Sequence, residues 1–237
     1  MRLLSHRVSI ITLVLGLATP ALAAEPGAAN SDDLQGSYWN RSIESPTNVP
    51  EITFSIGYVR GLGQPQGGVG DLFGSLGSGA SLDLGVGYRL SPRWMLGVSG
   101  AYQIYGGDTL EGDDLAHGAI GRLDATYHFE PFSRLDPWAR AGIGYRLLHH
   151  APASGRDDLL HGVQLLSVTT GLDFRMQRDV AFAPILGADL DLFLYDRTDA
   201  VDRPRVSAFV YLGMQGRFDF GGPGGDEVPR YAAVDPR

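Results

Sequence analysis

Val206-Ser207-Ala208-Phe209-Val210-Tyr211-Leu212-Gly213-Met214-Gln215-Gly216-Arg217-Phe218-Asp219-Phe220 decides the fold. Its even positions, Val206 to Phe220, carry no charged or hydrogen-bonding side chain, whereas Ser207, Tyr211, Gln215, Arg217 and Asp219 fall on odd ones. A period of two is the signature of a strand with one apolar and one polar face. A helix would scatter Arg217 and Asp219 to either side of its apolar stripe.

The same alternation recurs seven times upstream. It runs through Ile52, Phe54, Ile56 and Tyr58, then through Ala80 to Leu90, then through Trp94, Leu96, Val98, Tyr102 and Ile104. Two runs use odd positions, Ala119 to Phe129 and Ala139 to Leu147, and two return to even ones, Leu166 to Met176 and Val180 to Leu194. The connectors alternate too. Long ones cover 61–79, 106–116, 149–160 and 196–204, and short ones lie near Ser91-Pro92, Pro131 to Asp136 and Gln177-Arg178. The repeating unit is a hairpin, with long loops at one end and tight turns at the other. Prolines mark the strands leaving the tight-turn end, at Pro50, Pro92, Pro137 and Pro184, and a bulge or a late strand start is expected at Pro184.

Two architectures fit eight amphipathic strands: a soluble barrel that is apolar inside, or a membrane barrel that is apolar outside. The aromatics decide between them. Tyr88, Trp94, Tyr127, Phe129, Phe174, Phe182, Phe218 and Phe220 gather on the apolar face at the tight-turn end, and Tyr58, Tyr102 and Tyr145 form a thinner ring towards the long loops. A buried core has no reason to sort rings by height, but a bilayer has two interfaces that do. The expectation is all-β: an eight-stranded antiparallel up-and-down transmembrane β-barrel, monomeric, in contact with outer-membrane lipid.

Residues 1–23 read as a signal peptide, with Arg2 and Arg7 around the apolar run Val8 to Leu17 and a small-x-small site at Ala21 to Ala23. Residues 24–50 read as a flexible periplasmic leader, 51–220 as the barrel, and 221–237 as a Gly/Pro-rich periplasmic tail too short for a wall-binding domain. Loss of the two signal-peptide arginines moves the formal charge from −8 to −10, which argues against nucleic acid as a partner. With no cysteine, the chain has no disulfide framework.

Pro137-Trp138-Ala139-Arg140-Ala141-Gly142-Ile143-Gly144-Tyr145 and Gly85-Val86-Gly87-Tyr88-Arg89-Leu90-Ser91-Pro92-Arg93-Trp94 resemble the recurrent strand and strand-turn-strand elements of the small outer-membrane barrels of Gram-negative bacteria, the OmpA-like, OmpX and OmpW group. The resemblance spans about residues 51–220 and implies residence in the cell outer membrane.

Seven aspartates, Asp83, Asp124, Asp136, Asp173, Asp189, Asp191 and Asp219, fall on the polar face with seven arginines, Arg89, Arg93, Arg122, Arg140, Arg146, Arg175 and Arg217. Balanced signs favour a hydrogen-bonded plug over a selective pore. The glycines Gly85, Gly87, Gly142 and Gly144 relieve crowding inside a narrow barrel and are not a phosphate loop. His117, His149, His150 and His161 cluster at the long-loop ends, where a surface metal site is conceivable but a solvated rim is the usual outcome. His150, Ser154 and Asp157 have the residue types of a hydrolytic triad without its motif. No catalytic residue, cofactor or resident metal is therefore assigned. The reading is a structural or surface-interacting barrel that meets an extracellular ligand through its four long loops, with a small passive channel as the alternative and an outer-membrane hydrolase third.

The mature chain should fold only in detergent or lipid, and unheated samples should migrate differently from boiled ones on a denaturing gel. A folded, monodisperse protein in plain buffer would show that the faces had been assigned the wrong way round.

Overall fold

The computed structural model describes residues 42–63 except 44, 77–106, 115–151, 158–197 and 199–220. The signal peptide, most of the leader, the tail, and the middles of the first three long loops lie outside the described residues. Eight long strands are present: β1 Val49–Leu62, β2 Ser78–Arg89, β3 Trp94–Gly106, β4 Leu115–His128, β5 Leu135–Ala151, β6 Asp158–Gln177, β7 Val180–Asp196 and β9 Val206–Asp219. A two-residue strand, β8 Asp199–Ala200, folds back on the end of β7. Every pairing is antiparallel. Neighbours in sequence pair from β1 to β7, and β9 joins β7 to β1, which closes the sheet into a barrel of eight long strands.

Closure follows from the alternation. Ile56, Leu84, Val98, Leu123, Ile143 and Leu212 are each more than half exposed on the outer wall, while Glu51, Arg89, Arg146, Arg175 and Asp189 are fully buried inside. In water this would be an inverted protein; in a bilayer it is the arrangement the solvent requires. The aromatic belt at the tight-turn end is assembled by contacts both between strands and along β4. Trp94 and Tyr127 pack edge-on at 4.9 Å, Tyr127 and Phe129 at 5.1 Å, and Phe182 and Phe218 at 6.5 Å. The upper ring holds Tyr58, Tyr102 and Tyr145, as expected, and gains Tyr195.

Tyr195 was missed because its parity is wrong for β7. The β6–β7 register shifts between His161 and Gly162, and that extra residue turns Tyr195 outward to stack on His161 at 5.2 Å. A second shift between Gln164 and Leu166 leaves Leu165 and Leu166 both facing lipid. The expected irregularity at Pro184 does not occur. β7 begins at Val180 and runs through Pro184, which pairs with Met214 in unbroken register. The bulge lies instead between Arg175 and Gln177 on the neighbouring strand.

The described end of the leader is tied to the tight-turn end. Ile43 N–H bonds to Phe132 O in the β4–β5 turn at 2.9 Å, and Asn48 N–H to Arg89 O at 2.8 Å. Ser45, Pro46 and Val49 are buried, and β1 starts two residues before the expected Glu51.

Leu123 sits on the outer wall between Val98 and Ile143, four residues above Tyr127 of the lower belt. Leu123→Arg should cost about 2–4 kcal/mol, the penalty of an arginine near the bilayer midplane. Urea titration of protein refolded in vesicles measures it, with Asp202→Arg on the exposed β8–β9 connector expected to change little.

Candidate functional site in the barrel interior

Inward-facing side chains of all eight long strands fill the lumen in tiers. The lowest tier, at the tight-turn end, sets Arg89, Arg175 and Arg217 against Glu51, Asp136, Asp173 and Asp219. Arg89 Nη2 lies 2.7 Å from Glu51 Oε2, and Arg217 spans Glu51 and Asp173 at 3.2 Å each. The Trp138 indole donates to Asp173 Oδ1 at 2.8 Å, and the guanidinium of Arg217 lies 5.2 Å from its ring centroid. Room for that indole exists because Gly171 stands opposite; a Cβ there would come within 2.5 Å of the ring.

The middle tier is softer. Arg122 pairs with Asp83 and receives Asp189 at 3.8 Å. Asp124 accepts from the Ser99 hydroxyl at 2.6 Å, and Arg140 donates to Thr126 and Gln215 at 3.2 Å each. Asp124 is held by the Ser99 hydroxyl, and it is the leading opposite charge facing Arg140. A void of about 30 Å³ among Ser55, Asp83, Arg122, Arg140, Tyr211 and Gln215 has room for one or two waters.

Above it, Arg146 reaches Asp189 at 2.7 Å and Asp191 at 3.0 Å and donates to Gln103 at 2.6 Å. Its guanidinium lies 3.8 Å from the centroid of the Phe209 ring. Over this tier sits an apolar cap that the sequence reading did not foresee: Val59, Tyr105, Ala116, Leu148, Phe193 and Phe209, all buried. These residues lie on polar-face positions of their strands, where the two-residue period places them inside without revealing that they meet.

The predicted balance of seven against seven is corrected at two places. Arg93 is exposed at the β2–β3 turn, where it donates to Phe129 O at 2.8 Å. Glu51, unassigned in the sequence, is fully buried between Arg89 and Arg217. Six arginines thus face eight carboxylates, and hydroxyl, amide and indole donors serve the surplus.

Of the rim histidines, His117 and His149 face each other across the β4–β5 ladder. His117, His149 and His161 lie on the outer wall, whereas His150 falls on the opposite parity of β5 and pairs with Asp158 in the ladder. His161 bonds through Nδ1 to the Tyr145 hydroxyl and through Nε2 to Arg197 O, which leaves it no lone pair for a metal. Ser154 and Asp157 of the triad pattern lie outside the described residues. The one grouping of metal-type donors among the described residues is His128, Asp136 and Asp173 in the lowest tier. There His128 Nδ1 donates to Asp136 at 2.7 Å while Nε2 accepts from Arg217 at 2.6 Å. A ring spent on both nitrogens beside a guanidinium is a structural link, not a cation site.

An apolar outer wall between two aromatic rings, a polar packed lumen, tight turns at one end and long loops at the other satisfy every requirement for spanning a bilayer with strands. The chain is an integral outer-membrane β-barrel. Among solved structures it is similar to Neisserial surface protein A, at 17% identity over 75% of this chain and 100% of that one, with a TM-score of 0.49. It is similar also to the N-terminal barrel domain of Pseudomonas aeruginosa OprF, at 19% identity over 73% and 100% of the two chains with a TM-score of 0.45. A third is Ail, the attachment invasion locus protein of Yersinia pestis, at 15% identity over 74% and 100% with a TM-score of 0.42. No protein-family model and no curated protein matches the chain.

Arg146→Ala would leave Asp189 and Asp191 buried without their nearest cation, so the barrel should lose about 3–5 kcal/mol. Adding Asp191→Asn should return part of that loss. Urea midpoints in vesicles for the single and double variants measure both.

Proposed function

We propose that the protein is a sealed barrel with a structural or surface-interacting role, carried by the loops and strand ends that stand above the outer leaflet. One observation carries this reading: the lumen is occupied along its length, by ion-paired tiers below and by the Phe193–Phe209 cap above. An eight-strand barrel is just wide enough for its own side chains. A solute would have to displace all three charged tiers and an apolar layer.

The extracellular side supports the second half of the proposal. β5, β6 and β7 have 17, 20 and 17 residues, against 12 for β2, so the ladder continues on one side of the rim. His149 and His150 remain paired with Leu159 and Asp158 at the far end of that wall. Such an extension presents a rigid edge to an extracellular partner. The four long loops, 61–79, 106–116, 149–160 and 196–204, would complete that surface.

In planar bilayers the refolded protein should show small or intermittent conductance. Phe193→Ala with Phe209→Ala should raise it by removing the cap, if folding is preserved by gel mobility. A large, steady, ion-selective current from the unaltered protein would replace this reading with the channel.

A further inference from the structure

Two backbone bonds fix the ends of a short piece of chain that precedes β1. Asn48 N–H meets Arg89 O at the end of β2, and Ile43 N–H meets Phe132 O in the β4–β5 turn. In the ring of strands β2 stands next to β1, whereas the β4–β5 turn lies three to four places away, on the far side of the barrel. Eight strands about 4.8 Å apart and tilted by about 40° make a mouth roughly 16 Å across, and the way round its rim from β1 to that turn is roughly 22 Å. The six steps from Ile43 to Val49 reach at most about 20 Å when fully extended. They are not fully extended, because Asn48 has a φ of 55°. The chain therefore crosses the mouth and does not follow the rim. Burial agrees: Ser45 is 4% exposed and Pro46 is buried, although neither lies in a strand.

The lowest charged tier sits just inside that mouth. Arg89 and His128 are the last residues of β2 and β4, and Asp136 is the second of β5, yet all three are fully buried. Polar groups in the final row of an open barrel end would meet water, so a crossing segment accounts for their burial.

That segment is lightly held. Ile43, Ser45, Pro46 and Thr47 belong to no ladder, Pro46 has no N–H to give, and Ser45 Oγ has no hydrogen-bond partner among the described residues. From Glu51 onward, by contrast, β1 is paired on both sides. Local opening costs least where few bonds break. The turn at Asn48 aims the chain inward, and its positive φ is one that asparagine and glycine tolerate and β-branched residues do not. The Tyr88 hydroxyl donates to Asn48 O at 3.1 Å and pins the turn to the aromatic belt.

We propose that Ile43 and Ser45 to Asn48 are a lid on the tight-turn mouth, which faces the periplasm in barrels of this kind. Docked on the β4–β5 turn, the lid keeps periplasmic water off the lowest tier. Swung out about Asn48, it exposes Arg89, His128 and Asp136 while the ladder of eight long strands stays closed. The mouth is thus a docking site for a segment of the same chain, and this closure is separate from the Phe193–Phe209 cap at the other end.

The chain has no cysteine, so one introduced thiol reports alone. Ala181 is 1% exposed and pairs with Arg175 and Arg217 of the lowest tier. Ala181→Cys in the mature protein, refolded in micelles and checked by gel mobility, is treated with a charged methanethiosulfonate reagent, with Asp202→Cys as the exposed reference and Ser55→Cys as a reporter beside the middle void. With the lid unaltered, Ala181→Cys should react far more slowly than the reference. Ile43→Pro, which deletes the donor to Phe132 O, and Asn48→Val, which disfavours the turn, should each raise the rate at Ala181→Cys about tenfold and leave Ser55→Cys slow. Asn48→Gly, which keeps the turn, should change neither. A slow rate at Ala181→Cys that neither lid variant raises would overturn the proposal. Fast labelling of Ala181→Cys under the unaltered lid, with Ser55→Cys slow, would overturn the lid alone; fast labelling of both would overturn the sealed lumen with it.

Discussion

A peptide group in hydrocarbon must be hydrogen-bonded to another peptide group, and for a strand the partner can only be a neighbouring strand. An open sheet leaves two unsatisfied edges, so the chain must return to its start. Here that return is the β1–β9 ladder, in which twelve consecutive residues from Glu51 to Leu62 pair with Asp219 to Ala208. Once the ladder closes, the number of strands sets the width of the lumen, and the width decides that arginine and aspartate side chains must share it with little room for solvent.

Burying that many charges is expensive unless each is answered, and the answer here is a change of character with height. At the tight-turn end, where the three arginines and four carboxylates are densest, Trp138 and His128 are drawn in as hydrogen-bond partners. In the middle, where the ion pairs thin, hydroxyls and amides take over and a small polar void remains. At the loop end the lumen becomes apolar, and Arg146 lying on the Phe209 ring joins the two regimes. That join lets the barrel finish in a water-excluding layer without stranding a charge beneath it.

The alternation of Val206 to Phe220 and its seven counterparts was enough to give the strands, their faces, the aromatic rings and the membrane as solvent, because the bilayer and the lumen each act on one residue in two. What alternation cannot encode is the offset. Tyr195 and Leu165 change face at bulges set by the ladders, β7 against β6 for Tyr195 and β6 against both β5 and β7 for Leu165, not by any local residue pattern. Pro184, by contrast, invites a bulge on local grounds, and its place in the β7–β9 ladder accommodates it without one.

Within the lumen the same division holds. Residue types determined that the interior would be ionic and filled, since no other arrangement of Asp and Arg on the inward face of a narrow barrel is stable. Which carboxylate meets which arginine depended on the stagger of strands far apart in sequence. Arg146 finds Asp189 forty-three residues away, Arg217 finds Glu51 across the closing ladder, and Asp124 accepts from Ser99 on the neighbouring strand β3. The sequence by itself determined a strand's two faces, a property of the backbone period alone. Only the tertiary structure decided the pairings across the lumen and the apolar cap, because these arise from heights on different strands that become comparable only after the sheet has closed.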